Sequence, residues 1–316
     1  VGMTVVEMLN AAEKGQVKGL FVLRENPGMT DPDGNHARKA LSELEFLVVQ
    51  EVLPSETTPY AHVILPGGAF TEKDGTFTNT ERRVQMVRQA TDTPGQARAD
   101  WEILRDLGQR IKQRLGEDTN GARYASWDYA TPNDVWTEVR ALTPSYAGIS
   151  YERIEKKGLQ WPCPALDHPG TPVLHKGKFS RGLGHFSPAD WLPPAEQPDA
   201  EYPLVLTTGR VLYHFHGGTM SRRSPGLNEV YPEGFVEMNP IDARALGVAD
   251  GDLVKVSSRR GQVVAKSQVL DKTAPGVVFM TFHFKEAAAN LLTIAALDPV
   301  AKIPEYKACA VKVEKA

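Results

Sequence analysis

The sequence predicts a parallel α/β layer, then a long ordered crossover, then a carboxyl-terminal β-barrel. Three observations carry this. Short apolar runs, Gly19-Leu20-Phe21-Val22-Leu23, Phe46-Leu47-Val48-Val49-Gln50 and His62-Val63-Ile64-Leu65, alternate with helical patterns early in the chain. Proline, glycine and tryptophan crowd the middle. The remainder reads as short strands separated by glycine turns.

The elements follow in order. Val5, Met8, Leu9 and Ala12 recur at helical spacing, and the first buried strand comes at Gly19–Leu23. A turn-rich loop spans Glu25 to Gly34. A helix from about His36 to Glu45 leads into the second strand, and His62–Leu65 is the third. Strand, loop, helix, strand is the logic of an open parallel sheet, whose ligands lie beyond the carboxyl ends of the strands. Residues 1–115 are therefore expected to form one α/β region. Residues 116–200 carry Trp161-Pro162-Cys163-Pro164, Leu192-Pro193-Pro194 and a helix near Asn133–Leu142. Their aromatic content predicts an ordered crossover rather than a solvated linker. In residues 201–316, Leu253–Ser258 and Gln262–Ala265 flank Arg259-Arg260-Gly261 as a hairpin. Asp242–Leu246 is a short helix closed by Gly247, and Val277–Met280 is a further strand.

Composition narrows the function classes. At 316 residues, with 41% hydrophobic and 24% charged residues, the chain can bury two cores. A net charge of -3 gives no electrostatic case for nucleic acid or an anionic membrane. No run of about 18 apolar residues is present. Val1 to Ala12 lack a small-residue cleavage pattern, which reads as no signal peptide. The Val1-Gly2-Met3 start reads as a piece of something longer. The only two cysteines, Cys163 and Cys309, fit a reducing, cytoplasmic setting. They are too few for an iron–sulfur cluster, which needs about four thiolates. No Ser-His-Asp order, Walker loop or G-x-G-x-x-G occurs, so the chain offers no catalytic nucleophile.

Four groups of residues carry polar chemistry. Asn26 sits in the loop after the first strand, where an open sheet places a nucleotide; the plain alternative is an Asn-Pro-Gly turn. Gln50 and Glu51 end the second strand, where a carboxylate can accept the two N–H groups of a guanine edge. Gly75, Thr76 and Asn79 lie in Glu72–Arg83, a stretch dense in short donors, unless it is only a hairpin turn. The richest segment is Thr207–Met220, with Thr208, Gly209, Arg210, His214 and His216 directly after a strand. If that segment were extended, the two histidines would share a face. A third zinc ligand at diagnostic spacing is absent, so contacts to a phosphate or another oxyanion are expected, with satisfied structural histidines as the alternative. Asn290, Tyr306 and Lys307 complete the set.

Taken together, Glu25-Asn26-Pro27 with Asp31-Pro32-Asp33, Glu72–Arg83, Trp161–Pro164, Thr208–Arg223 and Asp298–Lys307 resemble, in order, the carboxyl-terminal half of a formate dehydrogenase catalytic subunit, in the molybdenum and tungsten bis-pterin oxidoreductases. The resemblance implies a double-psi-like barrel and bis-molybdopterin guanine dinucleotide carrying molybdenum or tungsten. It implies that Asn26, Gln50 and Glu51 lie at a guanosine. Arg210, His214, His216, Asn290, Tyr306 and Lys307 would reach pterin or phosphate, and the donors of the two halves would converge on one cleft. The family's cluster cysteines and metal-ligating residue have no counterpart here. The implied partners are therefore an amino-terminal half of the subunit and electron-transfer subunits, with formate as the substrate of the whole enzyme. Two other readings compete: another bis-pterin enzyme such as a nitrate reductase, and a pterin-free structural subunit like the large peripheral subunit of respiratory complex I.

Overall fold

The computed structural model describes residues 2–115 and 127–316, which form two compact units. One joins Val1–Leu65 to Asp190–Ala316; the other is Pro66–Ala189. The expected borders near residues 115 and 200 thus differ from the observed ones. The first unit draws on both ends of the chain, because the early sheet shares its loops with the late barrel.

The early part of the first unit starts with α1 (Val5–Glu13), whose Thr4 backbone N–H and hydroxyl both donate to the Glu7 carboxylate. Next come β1 (Gly19–Leu23), the single turn α2 (Pro27–Thr30) and α3 (Gly34–Ser42), then β2 (Phe46–Glu51) and β3 (Val63–Pro66). Pro27 suits the first position of α2, where no backbone donor is needed. Asp33 caps α3 and starts it two residues earlier than the apolar spacing suggests. The sheet order is β1-β2-β3, with β1 and β2 parallel from Gly19↔Phe46 to Leu23↔Gln50. Leu9, Ala37, Leu41, Leu47 and Val49 form its core. β1, expected to be buried on both faces, instead leaves Phe21 and Leu23 over a third exposed. It is the edge of this sheet and the wall of a cavity.

In the second unit, β4 (Gly75–Thr78) and β5 (Arg83–Val87) make an antiparallel hairpin. α4 (Asp100–Leu115), α5 (Pro132–Leu142), α6 (Tyr151–Ile154) and β6 (Leu159–Gln160) follow, and β6 pairs with β5. Val84, Trp136, Ile149, Ile154 and Cys163 fill the core. The Arg82 guanidinium binds the carbonyls of Trp161 and Thr171 and lies over the Trp161 ring, so the proline-rich stretch is tied down at this end.

The barrel strands are β7 (Leu204–Gly209), β8 (Phe235–Met238), β9 (Leu253–Ser257), β10 (Gln262–Val269), β11 (Val277–Thr281) and β12 (Cys309–Lys315). Helices α7 (Pro225–Val230) and α8 (Pro240–Leu246) interrupt them, and Gly247 ends α8 at φ 66°. The barrel closes in the order β10-β8-β11-β7-β12-β9. β7 with β11 and β8 with β10 are parallel pairs inside an otherwise antiparallel ring, the double-psi-like arrangement. Leu206, Val236, Met238, Val254, Val256, Val278 and Met280 fill it. β7 reaches Gly209, past the expected end at Leu206, because its pairing with β11 continues to Thr281↔Gly209.

Candidate functional site

A cavity of about 890 Å³ lies within the first unit, well into the roughly 300–1,000 Å³ range of small-molecule sites. One wall is apolar and comes from α1 and β1, including Val5, Leu9, Phe21 and Leu23. The other walls are polar. The loop after β1 supplies Glu25, Thr30 and Asp31; the end of β7 supplies Thr208, Gly209 and Arg210; and the closing segment supplies Lys302, Tyr306 and Lys307, with His216 and Asn290 between.

The backbone explains why these groups meet. The Thr208 hydroxyl donates to the Tyr306 carbonyl at 2.7 Å, and the Lys307 ammonium donates to the Thr208 carbonyl, so the closing segment is laced to β7. Asn290 donates from Nδ2 to the carbonyls of Thr30 (2.9 Å) and Met29 (3.3 Å), locking the end of α2 onto the barrel. At Gly209 a Cβ would stand 2.5 Å from the Phe279 ring, so only glycine lets the strand pass there.

The cavity has two electrostatic poles. Arg210 lies over the Phe282 ring at 5.5 Å and makes no ion pair among the described residues. Burial and the nearby Arg210 charge lower the Lys307 ammonium from its ordinary value. At the other pole, burial, with Glu25 beside it, pushes the Asp31 carboxyl up to about 7. Asp31 is 7% exposed, and its Oδ2 meets no hydrogen-bond donor. Burial, then the negative charges of Asp31 and Glu25, raise the Tyr306 hydroxyl.

Seven of the residues singled out in the sequence line this cavity or its rim: Thr208, Gly209, Arg210, His216, Asn290, Tyr306 and Lys307. The others are placed differently. The Asn26 carboxamide donates to Glu56 at 2.7 Å and accepts from both Thr57 N–H and Thr57 hydroxyl, so it clamps its own loop. Gln50 is fully buried, and Glu51 accepts the Val52 N–H; neither lines the cavity. His214 is 4% exposed, with Nε2 against the Tyr231 carbonyl at 2.7 Å and Nδ1 against Ser221, so it serves the barrel interior. Nor do His214 and His216 share a strand face, since both follow β7 in irregular backbone, His216 at φ 49°. Gly75, Thr76 and Asn79 belong to the other unit, where Asn79 closes the β4–β5 turn by accepting the Arg83 N–H at 2.9 Å. Gly75 and Thr76 line a separate hollow of about 330 Å³ in that unit.

Three contributors were read in the sequence only as members of motifs, Glu25 in Glu25-Asn26-Pro27, Asp31 in Asp31-Pro32-Asp33 and His283 in Thr281-Phe282-His283-Phe284, and were given no role. Asp31 and Glu25 form the acidic pole, although Asp31-Pro32-Asp33 was visible as a motif. His283, 1% exposed, holds the loop from below: its Nε2 accepts the Val211 N–H at 3.0 Å, so the proton sits on Nδ1, which donates to the His216 carbonyl. No group of three or more histidine, cysteine or acidic residues among the described residues could hold a metal. No described helix is long and apolar enough to cross a membrane.

Comparison with known proteins accords with this geometry. The F420-dependent formate dehydrogenase subunit alpha of Methanocaldococcus jannaschii is 46% identical over 99% of this chain and 45% of its own length. The assimilatory nitrate reductase catalytic subunit of Bacillus subtilis is 36% identical over 99% of this chain and 44% of its own. The structure of acetylene hydratase from Pelobacter acetylenicus superposes with a TM-score of 0.70 at 15% identity, over 98% of this chain and 46% of that one, a likeness of fold. The chain thus spans less than half the length of the curated relatives it matches. Residues 204–310 match the molydopterin dinucleotide binding domain and residues 1–110 match molybdopterin oxidoreductase. These matches indicate bis-molybdopterin guanine dinucleotide with molybdenum or tungsten as the cofactor. The donor set fits such a group: the Arg210 guanidinium, the Lys307 ammonium and the backbone at Gly209 for phosphate, and one unsatisfied acceptor, the Asp31 Oδ2, for ring N–H groups. On this sequence, fold and cavity, the chain belongs to the molybdopterin oxidoreductase family.

Proposed function

We propose that this chain is the cofactor-binding portion of a formate dehydrogenase catalytic subunit. The whole enzyme would convert formate to carbon dioxide, a proton and two electrons. The observation that carries the proposal is the cavity itself, whose lining combines Arg210, Lys307 and His216 with Glu25, Asp31 and an apolar wall. The higher identity to the formate dehydrogenase subunit than to the nitrate reductase, 46% against 36%, supports formate over nitrate.

The bound group would supply the two-electron chemistry; the chain would bind and orient it. Arg210 presents a planar fork suited to a phosphate or pterin carbonyl, and Lys307 adds a second cation beside it. Val5, Leu9, Phe21 and Leu23 would offer the ring system an apolar face. Asn26, Gln50, Glu51 and His214 act in this reading by shaping the unit that presents the cofactor, while Gly75, Thr76 and Asn79 shape the hairpin of the other unit. Metal ligation and electron relay would come from an amino-terminal region of the same subunit, and electron-transfer subunits would accept the electrons.

The test is reconstitution. The purified chain alone should not reduce a dye with formate. The chain produced together with the amino-terminal region of a relative such as the jannaschii subunit should do so, with metal bound. Nitrate reduction in place of formate oxidation by the reconstituted enzyme would overturn the proposal, as would formate activity in the chain alone.

A further inference from the structure

Asp31 is the least satisfied group in the cavity. It is more than nine-tenths buried, its Oδ2 has no donor, and it lines the cavity with Glu25. A buried carboxyl in that state costs free energy unless a donor arrives or it keeps its proton. The protein places it deliberately. The α2 turn that carries Asp31 is fixed at one end by the Asn26–Thr57 bonds and at the other by Asn290. The other charged or titratable groups lining the cavity are Glu25, Arg210, His216, Lys302, Tyr306 and Lys307. Two of these, Glu25 and Tyr306, interact electrostatically with Asp31; Glu25 repels an anion there. A phosphate therefore belongs at the Arg210–Lys307 pole, and a group rich in N–H donors belongs at Asp31.

We propose that the Asp31 carboxyl is a recognition residue for a 2-amino-4-oxo-pyrimidine edge, the pair of adjacent N–H donors shared by guanine and the pterin ring. The idea rests on the reading of this cavity as a dinucleotide site. A carboxylate accepts both donors in parallel, a charge-assisted pair. Binding therefore draws the carboxyl into its ionised form. Because burial holds the free carboxyl near 7, binding at slightly acid pH must release a proton.

The experiment is titration calorimetry on the full chain in buffers of differing ionisation enthalpy, with guanosine monophosphate, inosine monophosphate and 6-hydroxymethylpterin as probes. Guanosine monophosphate preferred over inosine monophosphate assigns the edge to guanine; the free pterin as the tighter ligand assigns it to the pterin. In either case Asp31→Asn, which keeps the shape but offers a single acceptor, should weaken the preferred probe by about tenfold or more. The proton released between about pH 6 and pH 7 should disappear with it. Arg210→Ala separates the two levels of the argument. If Arg210→Ala weakens the phosphate-bearing probes while Asp31→Asn changes neither affinity nor proton release, the Asp31 assignment is wrong and the cavity reading stands. If no probe binds the unsubstituted chain, the cavity reading fails and the assignment falls with it.

Discussion

His283 accepts the backbone N–H of Val211 at 3.0 Å, and this bond fixes which way the polar loop after β7 leaves the barrel. The same ring donates to the His216 carbonyl, so one neutral imidazole ties Val211 to His216 in the stretch that directly follows Arg210. Burial keeps this imidazole below its ordinary titration range. Below the ordinary histidine value of about 6.5 the unfolded chain takes up a proton that the folded chain excludes, so stability falls as pH drops through that region. Once protonated, Nε2 could no longer accept the Val211 N–H. His283→Leu should lose about 1–3 kcal/mol at neutral pH and should lack this acid-side slope. Urea unfolding of both proteins at pH 5.5 and 7.5 checks it; equal slopes would show that the histidine is not the titrating clamp.

Asp31 works in the opposite sense. Its folded value is raised from 3.8 to about 7, so between these limits the folded chain keeps a proton that the unfolded chain has lost. Its contribution to stability is therefore present at low pH and lost as pH rises from about 4 to about 7. Asp31→Asn should be no more stable than the unsubstituted chain near pH 4 and more stable above pH 7, by about 4 kcal/mol at most. Thermal or urea midpoints that move in parallel across this range would exclude a raised carboxyl at this site.

Gly209 pairs with Thr281 in the parallel β7–β11 register, and the Phe279 ring reaches over to where its Cβ would stand. Gly209→Ala should cost about 1–3 kcal/mol through overpacking. Combining it with Phe279→Leu should recover part of that loss, since the contact is with the ring. A double variant as unstable as the two changes added together would mean that the backbone, not the ring, rejects the methyl group.

Arg210 is exposed and lies over Phe282, so its replacement should leave the barrel intact, within about 0.5 kcal/mol. In the reconstituted subunit Arg210→Lys keeps the charge and loses the fork. Metal content or turnover should fall by roughly tenfold to a hundredfold, with Arg210→Ala more severe. Unchanged metal content in both variants would remove Arg210 from the cofactor site.

The strands of both halves were legible because apolar runs and alternation are local properties: Gly19–Leu23 lies where its pattern puts it, Phe46–Glu51 runs one residue past the expected Gln50, and Gln262–Val269 starts as expected but runs four residues past Ala265. The loops were legible only as collections of polar groups. Asn26 and His214 look from sequence like ligand donors, yet their partners Glu56, Thr57 and Tyr231 are chain-distant or of ordinary type, and nothing local reveals that the fold satisfies them. Asn79 is the same case within a hairpin. Asp31 shows the converse. What marks it is a partner that is missing, and a missing partner is a property of the folded neighbourhood alone.

The bond from Asn290 to the carbonyls of Met29 and Thr30 joins the first α/β turn to nearly the last part of the barrel. During synthesis this tie cannot form until Asn290 itself has been made. A chain that stops before Asn290 also lacks Lys302, Tyr306 and Lys307, so the cavity would have neither its closing segment nor the lock on α2. The same long-range closure makes folding of this unit slow, because distant segments must meet before either is rewarded.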